Sequence, residues 1–147
     1  MQAIAALTDQ GYILSVDHDD LVIKYTGAGH PDPVTIKPFL DELRNHKQQA
    51  IAYLTMAKLH RQVSDELAQS WQPGTRHYIE QHRPELAQEI DRAEAAGNSA
   101  WLAVEAGTGA LDAFKVALAQ WRQANLQAVK VFAERGAATR WKDDSKP

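Results

Sequence analysis

The spacing of apolar and polar positions changes rhythm along this chain. Ile4 and Leu7 fall three apart, the spacing of a short helix, and Gly11 follows as a residue able to end it with positive φ. Tyr12, Leu14 and Val16 then alternate with Ile13, Ser15 and Asp17, which predicts a half-buried strand. Asp17-His18-Asp19-Asp20 supplies turn chemistry, because Asp side chains bond the nearby backbone. Beyond the turn, Leu21, Ile23 and Tyr25 alternate with Val22 and Lys24 on a return strand. Two strands alone are marginal in water. The hairpin therefore requires helices on one face, and the outer edge of its second strand is left unpaired.

Residues 26–34 hold two glycines and two prolines outside any periodic pattern and predict a loop, with Thr35 as the N-cap of the next helix and Pro38 in its first turn. Phe39, Leu40, Leu43, Lys47, Ala50, Ile51 and Leu54 give that helix a 3.6-residue stripe. His46 reads as partly buried beside the hairpin, with Lys47 carrying its charge out to water.

From Val63 onward the β signals vanish. Val63, Leu67 and Trp71 predict a short segment stopped at Gln72-Pro73-Gly74, and Thr75 is a cap for a segment carrying Tyr78 and Ile79. Leu86, Ile90 and Ala93 share one face of a helix that opens at Pro84 and closes at Gly97-Asn98, after which Asn98 or Ser99 caps residues 101–106. Gly107-Thr108-Gly109 is a turn. The last helix, 110–135, has the cleanest stripe, with Leu111, Phe114, Leu118, Trp121, Asn125, Val129 and Phe132, and Gly136 is expected to end it.

The fold expected is α+β: a small αββα(α) module over 1–58, an α-helical domain over 59–136 with a long C-terminal helix, and a flexible tail over 137–147. The last helix would be about 39 Å long, and it pairs either with the 84–106 helices or with a second copy of itself. Asn125 lies on its apolar stripe, where a polar residue can set register and oligomer state. The plainer reading is an Asn satisfied by water or backbone.

Composition narrows the function classes. With 147 residues, 44% apolar and 24% charged, the chain has a core to bury, and its net charge of −3 provides no global attraction to nucleic acid or anionic membrane. The imbalance sits in residues 1–54, which carry four Lys/Arg against seven Asp/Glu, while the remainder carries twelve of each. The absence of cysteine removes disulfides, thiolate metal sites and a Cys nucleophile. With no signal-like N-terminus and no long apolar run, a cytoplasmic protein is expected.

Little of the sequence points to chemistry. His77 and His82 flank Glu80, but five residues on a helix leave their rings about 140° apart. Glu42 and His46 are a better-spaced pair, yet two ligands make no structural metal site. Counting a calcium loop from Asp17 puts Val22 where glycine is required. No nucleophile–base or carboxylate pair can be argued from spacing, so no enzyme, metal or cofactor is expected. Arg135, Arg140, Trp141 and Lys142 make the C-terminal end basic with an aromatic interleaved, a composition able to bind single-stranded nucleic acid. That supplies the alternative function: a nucleic-acid accessory protein of a phage or plasmid element.

The order helix, hairpin, loop, helix resembles the N-terminal docking domain of the TubC family, from nonribosomal peptide synthetase and hybrid assembly lines. The residues that carry the resemblance are Ala6-Leu7 with Gly11, Leu14 and Val16, Leu21 and Ile23, then Leu40, Leu43-Arg44, His46-Lys47, Ile51 and Leu54, within roughly residues 3–56. The resemblance implies an αββαα fold, a capacity for homodimers, and capture of a partner's C-terminal peptide by the hairpin. Carried onto this chain, the docking strand is Leu21, Val22, Ile23, Lys24 and Tyr25, with Tyr25 and Val22 lining the peptide and Lys24 selecting its charge. That family's second strand usually carries several basic residues, whereas here Lys24 stands against Asp17, Asp19 and Asp20, a balance that leaves room for a basic peptide. The expectation is a free-standing, non-catalytic adaptor that binds a protein or peptide partner and no membrane. It would be a homodimer, with Leu111, Phe114, Leu118, Trp121, Asn125 and Phe132 serving dimerisation or helix packing.

Overall fold

A computed structural model of the chain describes residues 1–29 and 32–144, the stretch 136–144 as backbone only. The elements run α1 (Gln2–Asp9), β1 (Tyr12–Asp17), β2 (Asp20–Tyr25), α2 (Pro33–Asn45), α3 (Lys47–Ser70), α4 (Thr75–His82), α5 (Pro84–Glu105) and α6 (Leu111–Asp144). The class is mixed α+β, mostly helical with one antiparallel hairpin. No helix among the described residues is long and apolar enough to cross a membrane. The chain divides into two compact units, residues 1–59 with 101–111, and residues 60–100 with 112 onward.

In the first unit, Gly11 at φ +93° follows the Gln10 C-cap of α1 and turns the chain into β1. At eight residues α1 is too short to be stable alone. It is held by burial of Ala3, Ile4 and Leu7 among Tyr12, Ile36, Leu43 and Ala50. Leu14, Leu21, Ile23 and Tyr25 close the same core from the inner face of the hairpin, with the Tyr12 and Tyr25 rings 5.0 Å apart. His18, at φ +56°, makes the bend of the two-residue turn; His is among the non-glycine residues that tolerate this region better than most.

Two expectations need correction here. The cap of α2 is Asp32, whose carboxylate accepts from the Val34 N–H at 3.0 Å and from the Thr35 hydroxyl at 2.7 Å. The helix thus starts with Pro33 at its first position, where a missing N–H is harmless, and Pro38 lies beyond the first turn, inside the helix. The stripe from Phe39 to Leu54 is also interrupted at His46, which is exposed, not partly buried. Its N–H donates to the Glu42 carbonyl and its own carbonyl accepts from Ala50, both at 3.0 Å, so it closes α2 and opens α3. Lys47 then reaches back to Asp20 at the start of β2, at 2.9 Å. The 101–111 segment is tied to α3 by Gln49, whose amide donates to the Glu105 carbonyl at 2.6 Å, and by an edge-to-face Tyr53–Trp101 pair.

The second unit packs the later part of α3 with α4, α5 and α6. Ile79, Leu86, Ala87, Ile90, Ala124 and Ala128 form its core, flanked by Trp71, Tyr78, Trp121 and Val131. Gly97 lies level with Ala117 while Leu86 and Ile90 cluster with Ala124 and Ala128, so α5 and α6 run antiparallel. Arg76 joins α4 to α5 through Asp91, and Arg122 joins α6 to α3 with two bonds to Glu66 at 2.6 and 2.8 Å.

Four helix boundaries differ from the sequence reading. The segment containing Val63, Leu67 and Trp71 belongs to the 24-residue α3. Thr75 is the buried first residue of α4, bonded back to the Gln72 carbonyl, and Gly74 at φ +88° takes the cap position. Helix α5 passes through Gly97-Asn98 without a break; the roughly 1 kcal/mol helix penalty of one glycine is small against the burial of Leu86, Ala87, Ile90 and Ala93 on its inner face. Likewise α6 passes Gly136 and runs to Asp144.

Candidate functional site

The hairpin register pairs Tyr12 with Tyr25, Ile13 with Lys24, Leu14 with Ile23, Ser15 with Val22, Val16 with Leu21 and Asp17 with Asp20. Just outside it, the Thr26 N–H donates to the Gly11 carbonyl at 2.8 Å. Bonded and non-bonded pairs alternate along an antiparallel ladder. Ile13/Lys24, Ser15/Val22 and Asp17/Asp20 are therefore the pairs that exchange main-chain bonds. Leu21, Ile23 and Tyr25 aim their N–H and C=O groups away from β1, and among the described residues these groups find no internal partner.

The outward groups of β1 belong to Tyr12, Leu14 and Val16, but α1 lies against β1 and the β1 end at Tyr12 is buried. β2 pairs with β1 and otherwise meets the core through Leu21, Ile23 and Tyr25 on its inner face. Each strand of the two-stranded sheet keeps one unpaired edge, and β2 is the strand on which α1 does not pack.

The five residues expected to form the docking strand all lie on β2, split between its faces. Leu21, Ile23 and Tyr25 turn inward and are half-buried, while Val22 and Lys24 face out with Asp20. Tyr25 packs over Gly27, and its hydroxyl donates to the Ala28 carbonyl at 3.2 Å. Val22 is 41% exposed and Ile13, on the same outer face of β1, 55%. Lys24 has no ion-pair partner among the described residues, and Asp20 is engaged by Lys47 through Oδ1.

Two features at this end of the unit were not anticipated from sequence. The Tyr12 hydroxyl is buried without a hydrogen-bond partner among the described residues. Burial, with Tyr25 and Asp32 nearby, raises its pKa. The Thr35 hydroxyl and Val34 N–H hold the Asp32 carboxyl below its ordinary range.

The α6 set is turned inward. Phe114, Leu118, Asn125 and Phe132 are buried and Leu111 is half-buried, while Trp121 stacks on His60 with ring centroids 5.9 Å apart. Asn125 donates to the Trp121 carbonyl of its own helix at 2.8 Å. In the basic C-terminal set, Arg135 lies 3.4 Å over the Phe132 ring and donates to the Phe132 carbonyl. The side chains of Arg140, Trp141 and Lys142 fall outside the described residues.

A groove of about 720 Å³ runs between α5 and α6, walled by Glu89, Arg92, Gln120, Gln123 and Gln127 over an alanine floor. Its walls hold no nucleophile beside a base. Among the described residues no three His, Asp or Glu side chains gather as a metal site would require.

Fold and site together define an α+β protein whose free hairpin edge is its most distinctive exposed feature. No protein-family model, curated protein or solved structure matches this chain.

Proposed function

We propose that this chain is a non-catalytic docking protein that captures an extended segment of a partner by adding it to β2 as a third strand. The observation that carries the reading is the open edge. Leu21, Ile23 and Tyr25 present outward donors and acceptors on a strand with a neighbour on one side only. Added strands draw affinity from such main-chain groups and specificity from the flanking side chains. Here the flanking outer face offers Asp20, Val22 and Lys24, in that order. The resemblance of residues 3–56 to TubC docking domains supports the same reading, as does the apolar core that holds the hairpin rigid from its inner face. The helical unit would carry a second partner surface, and the cysteine-free composition suits the cytoplasm.

Ile23 is the position that tests it, since its N–H points away from β1. Replacing Ile23 by proline, or by N-methyl-isoleucine to keep the side chain, deletes that donor and leaves the Ser15/Val22 and Ile13/Lys24 bonds in place. The probe is a capped Thr-Val-Thr-Val-Thr-Val hexapeptide, matched to the length of β2. Deuterium exchange at the Leu21 and Ile23 amides, at a dilution where the native chain is monomeric, reports its docking, and fluorescence anisotropy compares the variants. Both variants should weaken the peptide at least tenfold while helical circular dichroism is unchanged. Equal binding by native and variant chains would sink the strand-addition reading.

A further inference from the structure

The outer face of β2 is self-complementary. Consider two copies of β2 laid antiparallel, with a two-fold axis through Val22. Leu21 then stands opposite Ile23 of the second copy. Both aim their main-chain groups outward, so the two residues can exchange hydrogen bonds, and the symmetry repeats the pair on the other side. Side chains directly opposite share a face. Val22 meets Val22 of the second copy on the axis, and Asp20 meets Lys24 of the second copy on either side.

Moving the axis by one residue destroys this match. An axis at Ile23 sets Lys24 against Val22, and an axis at Leu21 sets Val22 against Asp20. One register alone pairs every charge with its opposite and places the apolar residue at the centre. Lys24 is exposed and lacks an ion-pair partner among the described residues, while Asp20 meets Lys47 through Oδ1 and keeps Oδ2 for a second cation.

We propose that two copies of this chain pair along β2 in this register, completing a four-stranded antiparallel sheet and closing the edge that would otherwise capture a peptide. The inference rests on the open-edge reading of β2, because capture and self-pairing use the same main-chain groups. Self-pairing is therefore the closed state of the docking site, and partner binding competes with it.

A charge swap tests the register on the full chain. Lys24→Asp puts two carboxylates face to face at both flanks, and Asp20→Lys puts two ammonium groups there. By sedimentation equilibrium the native chain should reach twice its 16.3 kDa mass, and each variant alone should raise the dimer dissociation constant at least tenfold. An equimolar mixture of the two variants should dimerise again, because one chain then offers only carboxylates and the other only ammonium groups. The Leu21 and Ile23 amides should resist deuterium exchange in the native dimer and in the mixture, and exchange freely in each variant alone.

A dimer that survives either variant, a mixture that stays monomeric, or a native chain still monomeric near 1 mM, at the edge of weak association, would overturn the inference. If that monomeric chain shows Leu21 and Ile23 protected by the Thr-Val hexapeptide, self-pairing fails and capture stands. If neither the hexapeptide nor a second copy protects them, both readings fall.

Discussion

The rigidity of the hairpin edge depends on Leu7, and replacing it by alanine measures that dependence. Leu7 is fully buried in the core that also holds Tyr12, Ile36 and Leu43. Truncation removes three carbons and leaves a cavity, for which Leu→Ala costs run about 2–5 kcal/mol. Because α1 is short and can shift to fill part of the space, a loss near 3 kcal/mol is expected. The unit around it spans about 70 residues, for which total stability is on the order of 4–10 kcal/mol. The substitution thus removes a large share of it without unfolding the chain outright. Amide exchange followed by NMR reads the effect at Ile13, Ser15, Val22 and Lys24, whose N–H groups form the ladder. A 3 kcal/mol loss in global opening corresponds to about a hundredfold faster exchange there. Leu7→Met, which keeps the volume, should stay below about 1.5 kcal/mol. If Leu7→Ala leaves the ladder amides unchanged while those of α2 accelerate, the hairpin is not held by this core and the preformed edge loses its physical basis.

Two further expectations concern the helices. Gly97 has room for a methyl group, its nearest neighbour being Ala117 Cβ at 4.0 Å, so Gly97→Ala should stabilise by about 0.5–1 kcal/mol. At Gly109 a Cβ would fall 2.6 Å from Ala103 Cβ and 3.1 Å from its carbonyl carbon, so Gly109→Ala should destabilise by about 1–3 kcal/mol; thermal melts that move in the same direction for both would contradict the packing described. In acid, Glu66 and Asp91 are held below their ordinary carboxyl range by hydrogen bonds from Arg122 and Arg76. Unfolded carboxyls take up protons first, so the contribution of these pairs is complete above the unfolded values and is lost as pH falls through the lowered ones. Melting temperature should hold level from pH 7 to about 5 and drop below about 4, and Glu66→Gln or Asp91→Asn should flatten that drop; an unchanged slope would mean these exposed pairs contribute nothing.

The hairpin was legible because strand faces repeat every two residues. The alternation of Tyr12, Leu14 and Val16 with Ile13, Ser15 and Asp17 is the burial pattern found. The hydrogen-bonding parity came from the structure, where a two-residue turn makes Asp17 and Asp20 the closing pair. What sequence left open was choice between equals. Asp32 and Thr35 are both good caps three residues apart, and Pro33 directly after Asp32 was the signal that decides for the earlier one. The break at His46 carries no glycine or proline to announce it. The continuity of α5 through Gly97 rests on burial of Leu86, Ile90 and Ala93 along the helix, which a local reading of glycine as a stop does not weigh. The unpaired edge of β2 is likewise a tertiary fact, because it depends on the sheet ending at two strands.

That asymmetry bears on how a partner would be chosen. Main-chain groups at Leu21, Ile23 and Tyr25 offer the same ladder to any extended segment, so selection falls to the outer face. There the order is Asp20, Val22, Lys24. An incoming antiparallel strand satisfies all three with an acidic residue, an apolar residue and a basic residue at alternate positions, read from its own N-terminus. This is the order β2 itself carries. On the proposed self-pairing, a partner competes with the second copy by matching β2 on these three positions or by exceeding it elsewhere: at the inner-face positions beside Leu21 and Ile23, or beyond the turn, where Asp17 and Asp19 remain exposed. The acidic residues at the turn, which made little sense as a metal site, then favour a partner whose chain continues past β2 with a basic residue over one that ends there.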